Sequence, residues 1–484
     1  MKNKKDLKIF LKKNNIGSNS IKVLFIYTNI NGYHDDCYSF GLASIVSVTK
    51  LAGHDIRVII VNTKEDYEKV FTEINEFEPR VVGFSSVSSQ FNFVKELAVG
   101  IKAISADIIN VCGGVLPTIK PSCILEAKCL DAVFVGESEK AFIEFLAKVE
   151  RGLDYKDTEN LAYVENGRLI MNKLKPLIVK LDELPYPDRD VYPIAETLKS
   201  TGYMSFIFSR GCPYLCTYCS NHAIAKRYNL PRNYPRYRSP ESSIREIESA
   251  INKFPGKKIF IIDDIFGLNK SWRDEFCEKY KDRIKVEFMC CLRANLIDEE
   301  LIRLLKRAGC YRVSIGVESG NDYVRNEIMK RDISTEHIVR AFSLARKYGI
   351  QTNAINIIGI PGETEEMLWD TIKLNRNIRP TFSGVNIFYP YEGTIVGDYC
   401  FENELVNKHA YYSFSNERRE TVLNYPKEYR DKLVYYRENW DELIYVFDIK
   451  KIFFRKLRRS FLWKYLRAAK RFLKQKEMNE SAKK

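Results

Sequence analysis

Apolar residues in this chain fall in short runs separated by longer amphipathic stretches. Lys22–Thr28, Ile56–Val61, Val81–Ser85, Asp107–Cys112 and Ala132–Val135 read as buried strands, and Gly41–Ala52, Lys64–Phe77 and Phe91–Ile104 as the helices between them. This alternation predicts an α/β fold whose N-terminal part is a doubly wound, Rossmann-like parallel sheet over 21–150. Such sheets bind ligands beyond the carboxyl ends of their strands, so the Ser85–Ser89, Gly113–Pro117 and Gly136–Glu139 loops are expected to line one crevice.

Gly152–Ser200 is richer in Pro and charge, and its prolines predict an extended linker over 151–200. Within it, Leu181-Asp182-Glu183-Leu184-Pro185-Tyr186-Pro187-Asp188 is read as a strap across the domain seam. Alternation then resumes. Tyr203–Phe208, Lys258–Asp263, Lys285–Cys290, Arg312–Gly316, Gln351–Ile358 and Gly384–Phe388 predict strands, with Asp298–Ala308 and Glu336–Lys347 among the intervening helices. The spans suit a partial (β/α)6 barrel over 201–395, with polar and Gly residues gathered at one mouth. Residues 396–448 are aromatic and charged and read as a C-terminal helical cap.

Charge changes this picture only at the ends. Of the net +14, most lies in Lys450–Lys484, with fourteen Lys/Arg against Glu477 and Glu480, and in Met1–Ser20, with six Lys against Asp6. The basic segments, 1–20 and 449–484, flank a body close to neutral, which argues against a nucleic-acid cleft. In the tail Phe454, Leu457, Phe461, Tyr465, Ala468 and Phe472 recur at helical spacing. A basic helix with such a stripe suits peripheral contact with an anionic membrane, or docking on the protein's own body. No apolar run reaches the roughly 18 residues a membrane span needs, Met1–Asn15 does not read as a signal peptide, and twelve scattered cysteines suit a reducing, cytoplasmic setting.

The chemistry centres on Ser209-Arg210-Gly211-Cys212-Pro213-Tyr214-Leu215-Cys216-Thr217-Tyr218-Cys219. Three thiolates at CxxxCxxC spacing can hold three irons of a [4Fe-4S] cube and leave the fourth open, whereas zinc prefers four ligands in paired spacing. With Tyr218 before the last cysteine, the stretch resembles the radical S-adenosylmethionine (SAM) enzymes. The resemblance implies that Cys212, Cys216 and Cys219 hold the cluster and that its open iron chelates SAM, which is split to a 5′-deoxyadenosyl radical. SAM also needs an acidic group near its ammonium, a cation near its carboxylate, polar groups on the ribose and an apolar shelf for adenine. The matching strand ends offer Asp263 or Asp264, then Arg293, then Glu318 or Ser314, then Gly359–Pro361. Helix capping is an equal reading for Asp264 and Glu363, and Cys290, Cys291 and Cys310 read as small core residues.

A second resemblance covers the first domain. Gly41-Leu42, Ala52-Gly53-His54-Asp55-Ile56-Arg57, Gly113-Gly114 and Gly136-Glu137-Ser138-Glu139 look like the cobalamin-binding domain that precedes the radical SAM core in one large class. No Asp-x-His-x-x-Gly is present, so the resemblance implies cobalamin with its dimethylbenzimidazole off the metal and packed in the crevice. Gly113, Gly114, Gly136 and Glu137 would border the nucleotide tail, and Ser85, Ser86 and Ser88 would donate to it; tight turns are the competing reading for the glycines. Together the resemblances, over about Ile21–Thr394, imply a radical enzyme methylating an unactivated carbon or phosphinate of a small-molecule or lipid-like metabolite, with an electron donor such as flavodoxin or ferredoxin. The rivals are cyclisation, ring contraction or oxidation without methyl transfer, and a non-catalytic sensor. A methylthiotransferase is disfavoured because Cys37, Cys112, Cys123 and Cys129 do not form a second loop-end trio. If the tail lies on a bilayer, full-length protein pellets with anionic vesicles and a version ending at Asp448 does not; equal pelleting discards the membrane reading.

Overall fold

The structure, a computed structural model, describes residues 20–30, 32, 38–232, 234–256, 258–413 and 417–446. The basic N-terminal segment up to Asn19, Cys37 and the basic tail 449–484 lie outside the described residues.

Seven strands form the first sheet: β1 (Lys22–Thr28), β2 (Asp55–Val61), β3 (Val81–Ser85), β4 (Ile109–Gly113), β5 (Ala132–Phe134), β6 (Leu161–Glu165) and β7 (Arg168–Met171). Their order is β2-β1-β3-β4-β5-β6-β7, the first five parallel and the last two antiparallel. Val23–Ile26 is buried throughout because helices cover both faces. Phe40–Leu51 and Glu139–Glu150 pack on one side through Leu42, Val46, Phe142 and Phe145, and Tyr67–Phe77 and Phe91–Ile104 on the other through Val70, Ile74, Val94 and Leu97. The strand order reverses between β1 and β3, which opens the expected crevice.

The linker expectation is corrected here. Residues 161–171 form a hairpin on the edge of the first sheet, turned by Asn166-Gly167, both at positive φ (49° and 75°). An Asn-Gly pair between short apolar runs is the sequence signal for this turn, and the prolines that suggested an extended linker begin only after it. Ile194–Thr201 is helical, ended by Gly202 at φ 77°. Between these elements the strap lies across the seam as expected. Leu181 and Leu184 bury against Val48 and Ala52, Ser47 Oγ donates to the Tyr186 carbonyl (2.6 Å), and Arg238 donates to the carbonyls of Leu184 and Pro185 (3.0 and 3.1 Å).

The second sheet contains β8 (Met204–Phe206), β11 (Lys258–Ile261), β12 (Glu287–Leu292), β13 (Cys310–Glu318), β14 (Gln351–Ile358) and β15 (Phe382–Ile387), all parallel to their neighbours. The end strands β8 and β15 do not pair, so the barrel is open. Between β8 and β11 a two-stranded ribbon, β9 (Ser209–Arg210) with β10 (Arg236–Tyr237), brackets the cysteine loop. Outward positions such as Ile261, Cys290, Val313 and Ala354 are fully buried under helices, whereas the inward positions Phe260, Cys291, Asn353 and Ile355 are half-buried and face the concave interior. Cys290 and Cys310 are thus core residues as expected; Cys291 is not, because strand alternation turns it inward.

The cap packs on the open edge. Leu433, Tyr436 and Trp440 cover Ile358 and Val385, and Trp440 Nε1 donates to Ser383 Oγ (2.9 Å). Among the described residues no helix is long and apolar enough to cross a membrane. Truncating Trp440 to Ala is expected to cost about 3–5 kcal/mol, read as a lower midpoint in chemical unfolding; an unchanged midpoint would show that the cap adds nothing to the barrel.

Candidate active site

The cysteine loop leaves β9 through Gly211 at φ 104° and ends at the Ser220–Arg227 helix, directly after Cys219. Thr217 pins it from the far side. Its N–H donates to the Met329 carbonyl (3.2 Å), its hydroxyl to the Ile328 carbonyl (2.7 Å), and its carbonyl accepts from Val396 (3.1 Å). Cys216 is buried, and Cys212 and Cys219 are half-buried. Burial pushes the thiols of Cys212 and Cys219 up to about 11 and about 12, so ionising them requires a cation in place of the proton. Among the described residues no three His, Cys, Asp or Glu side chains converge as ligands of one ion; a cube takes each thiolate on a different corner.

Around the loop lie buried polar atoms without protein partners. The Arg293 guanidinium stacks on Tyr214 (3.6 Å to the ring centre), and its Nε and Nη2 face no acceptor. Asp263 is fully buried. One oxygen accepts from the N–H groups of Phe208 and Ser209 (2.7 and 2.9 Å), which fixes the end of β8, while Oδ2 is unpartnered, and burial raises the carboxyl to about 7. Its neighbour Asp264 caps no helix but opens onto the cavity described below, its carboxyl raised by the enclosing protein. An unsatisfied cation and an unsatisfied carboxylate at one strand mouth fit a zwitterion such as the methionyl end of SAM.

Tyr218 is held by a group that the sequence did not reveal. Arg331 Nη1 donates to the Tyr218 hydroxyl (2.8 Å) and to Glu318 Oε1 (3.1 Å), and Nη2 donates to the Gly316 carbonyl (2.8 Å). Glu318, two residues beyond the expected strand Arg312–Gly316, is the last residue of β13; it sits at φ 62° where the register with β14 shifts. A Cβ on Gly316 would strike the Glu318 carboxylate and push it from its place beside Arg331. Ser314 is buried and accepts from Asn353 Nδ2 (3.3 Å). Gly359 at φ 77° lies under Leu433, and Ile360 shares an apolar cluster with Tyr218, which brings the Gly359–Pro361 turn beside the cysteine loop. The capping reading fails for Glu363 as well: Thr364 caps the helix Glu365–Ile378, and the Glu363 carboxylate instead accepts from the Gly359 N–H (2.5 Å) and fixes the turn before it.

A cavity of about 400 Å³ runs from the first sheet to the cysteine loop. Phe25, Phe84, Phe134 and Phe142 wall its inner end, and Arg210, Gly211, Asn221 and Asp264 its outer end. Gly41 and Gly113 present backbone to it, with nothing within 4 Å of a Cβ at Gly41 and only Phe134 Cβ (3.9 Å) near one at Gly113. An aromatic slot floored by bare backbone fits the benzimidazole and nucleotide tail of cobalamin.

Of the three serines, only Ser85 borders this cavity. Ser86 is buried and donates to the Val87 carbonyl (3.0 Å), and neither Ser86 nor Ser88 lines the cavity, so both are corrected as tail donors. Gly114 (φ 107°) and Gly136 (φ 79°) border the cavity, yet each is also fixed by the protein itself. A Cβ on Gly114 would meet the Ser86 carbonyl at 2.6 Å, and one on Gly136 would strike the Tyr228 hydroxyl. Glu137 also borders the cavity, but its carboxylate is taken up within the protein: Arg236 grips both its oxygens (2.8 and 2.8 Å) and Arg210 approaches at 3.5 Å. Glu139 accepts from Arg210 (2.6 Å) and Ser44 (2.8 Å); burial opposes its charge, but the Arg210 guanidinium outweighs it and keeps the carboxyl below the usual range.

The radical SAM superfamily profile matches residues 206–374, and the B12 binding domain profile matches 29–146. An uncharacterised methyltransferase of Pyrococcus horikoshii is 30% identical over 373 residues, 76% of this chain and 79% of that protein. The chain belongs to the cobalamin-binding radical SAM enzymes. Anaerobic magnesium-protoporphyrin IX monomethyl ester cyclase of Rubrivivax gelatinosus is 25% identical over 393 residues, 77% of this chain and 68% of that protein. Among solved structures, the radical SAM methyltransferase TsrM of Kitasatospora setae, with tryptophan and a SAM analogue bound, shares the fold at TM-score 0.66 and 19% identity, over 81% of this chain and 77% of that one. This radical SAM enzyme uses a [4Fe-4S] cluster, SAM and cobalamin.

Arg331→Gln removes the anchor of Tyr218 and leaves Glu318 buried without its cation. It is expected to cost about 3–5 kcal/mol and to weaken SAM binding; unchanged SAM affinity in equilibrium dialysis would remove Arg331 from the site.

Proposed function

We propose that this radical SAM enzyme methylates an unactivated carbon of a small-molecule or lipid-like substrate. The observation that carries the reading is one cavity lined both by the first sheet's aromatic slot and by Gly211, Asn221 and Asp264, which flank the cysteine loop. When bound, the cluster with SAM supplies hydrogen-atom abstraction and cobalamin a transferable methyl group. In this reading Cys212, Cys216 and Cys219 hold the cluster. Arg293 takes the SAM carboxylate, Asp264, with the free oxygen of Asp263, faces its ammonium, Ser314 and Glu318 face the ribose, and Tyr218 with Gly359–Pro361 shelves the adenine. Ser85, Gly41, Gly113 and Gly114 border the cobalamin tail, and the phenylalanine walls exclude water from it.

Methyl transfer is also the activity named for the Pyrococcus relative, whereas the Rubrivivax relative is a cyclase. Product counting separates the two. With substrate, an anaerobically reconstituted and reduced enzyme is expected to release S-adenosylhomocysteine in step with 5′-deoxyadenosine; 5′-deoxyadenosine with no matching S-adenosylhomocysteine would overturn methyl transfer in favour of cyclisation or oxidation.

A further inference from the structure

The cluster needs an external electron before SAM is cleaved, and the chain beside the cysteine loop carries an unusual surface. From Cys212 to Pro240 there are five Lys/Arg and no Asp or Glu. Arg236 and Arg238 turn inward, to Glu137 and to the strap carbonyls. Lys226, Arg227 and Arg232 have no carboxylate partner among the described residues. Arg227 donates only to the carbonyls of Thr118 and Ile119 (3.2 and 3.0 Å), and Arg232 only to that of Pro213 (3.0 Å).

These cations lie near the cluster by construction. Lys226 and Arg227 form the last turn of the helix that starts after Cys219, so its eight residues place them about 12 Å along its axis from the loop. The helix stops at Asn229 (φ 53°), with the Leu230 N–H donating back to the Ala225 carbonyl (2.9 Å). The chain then returns until Arg232 reaches Pro213, next to Cys212. On this return Leu230 is 38% and Tyr234 65% exposed. Exposed Tyr and Leu among uncompensated cations have the make-up of an interface for an acidic protein, since aromatic and Arg side chains are enriched in contact patches and opposite charge speeds encounter.

We propose that the surface formed by Lys226, Leu230, Arg232 and Tyr234 docks an acidic one-electron carrier protein of the flavodoxin or ferredoxin kind, which reduces the cluster across the Cys212–Cys219 loop. The step transfers one electron: the carrier's centre is oxidised by one unit, the cluster is reduced by one, and no bond in this chain forms or breaks. The proposal rests on the three cysteines holding a cluster.

The test uses full-length, cluster-loaded protein and its Lys226→Glu/Tyr234→Ala variant. Calorimetric titration with a bacterial flavodoxin is expected to give a Kd at least about tenfold weaker for the variant, and wild-type binding that weakens steeply with salt. SAM cleavage driven by reduced flavodoxin falls in the variant, while cleavage driven by dithionite does not. Equal affinity for wild type and variant, or wild-type binding of polyuridine lost in the variant without any binding of flavodoxin, overturns the proposal. Absence of dithionite-driven cleavage in the wild type would instead count against the cluster, and the titration still decides the docking.

Discussion

Two glutamates on one turn of the first sheet meet two arginines on the ribbon that flanks the cysteine loop, and the relation between the two halves of the molecule depends on these pairs. Glu139 is buried and meets Arg210, while Glu137 bridges Arg236 and Arg210. A buried carboxylate left alone is strongly unfavourable, whereas its pair is held in place by geometry. Because Arg210 lies two residues before Cys212 and Glu139 begins a helix of the first domain, the same contacts fix the cysteine loop against the glycine-lined crevice. The strap through Leu184 and Tyr186 closes the opposite side of the seam with apolar burial and backbone hydrogen bonds.

The polar atoms at the barrel mouth divide into two kinds. Some atoms are satisfied within the protein and set positions: Asp263 Oδ1 at the end of β8, Glu363 Oε2 in the turn after β14, and Arg331 Nη1 between Tyr218 and Glu318. Others are buried and unsatisfied, notably Arg293 Nε and Nη2 and Asp263 Oδ2. Buried polar atoms are nearly always paired in a folded chain, so the second kind marks where a ligand completes the structure. The strained Glu318 at φ 62° belongs with them, since strain of this sort persists where surrounding contacts over-determine a site.

Much of this was legible in the sequence because strand runs and cysteine spacing are local signals. The five parallel strands of the first sheet, the six strands of the barrel and the loop between Cys212 and Cys219 all follow from periodicity and spacing. What stayed hidden depends on contacts far apart in the chain. Arg331 lies 113 residues from Tyr218, and Arg236 lies 99 from Glu137, so neither partner announces the other. Glu137 and Glu139 are visible in the sequence, but their partners Arg236 and Arg210 lie far along the chain, so the ion pairs are not. The β6–β7 hairpin has a local signal in Asn166-Gly167, but the prolines downstream favour an extended chain over the same stretch and outweigh it.

Everything in this account turns on three sulfur atoms binding iron at the mouth of the open barrel. The most direct measurement is iron and sulfide content, with the visible absorption spectrum, of anaerobically purified wild type beside the Cys212→Ala/Cys216→Ala/Cys219→Ala variant. The account requires a brown wild-type protein with about four irons and four sulfides per chain and a colourless variant. A wild type without iron, or a variant that keeps the full spectrum, would contradict it.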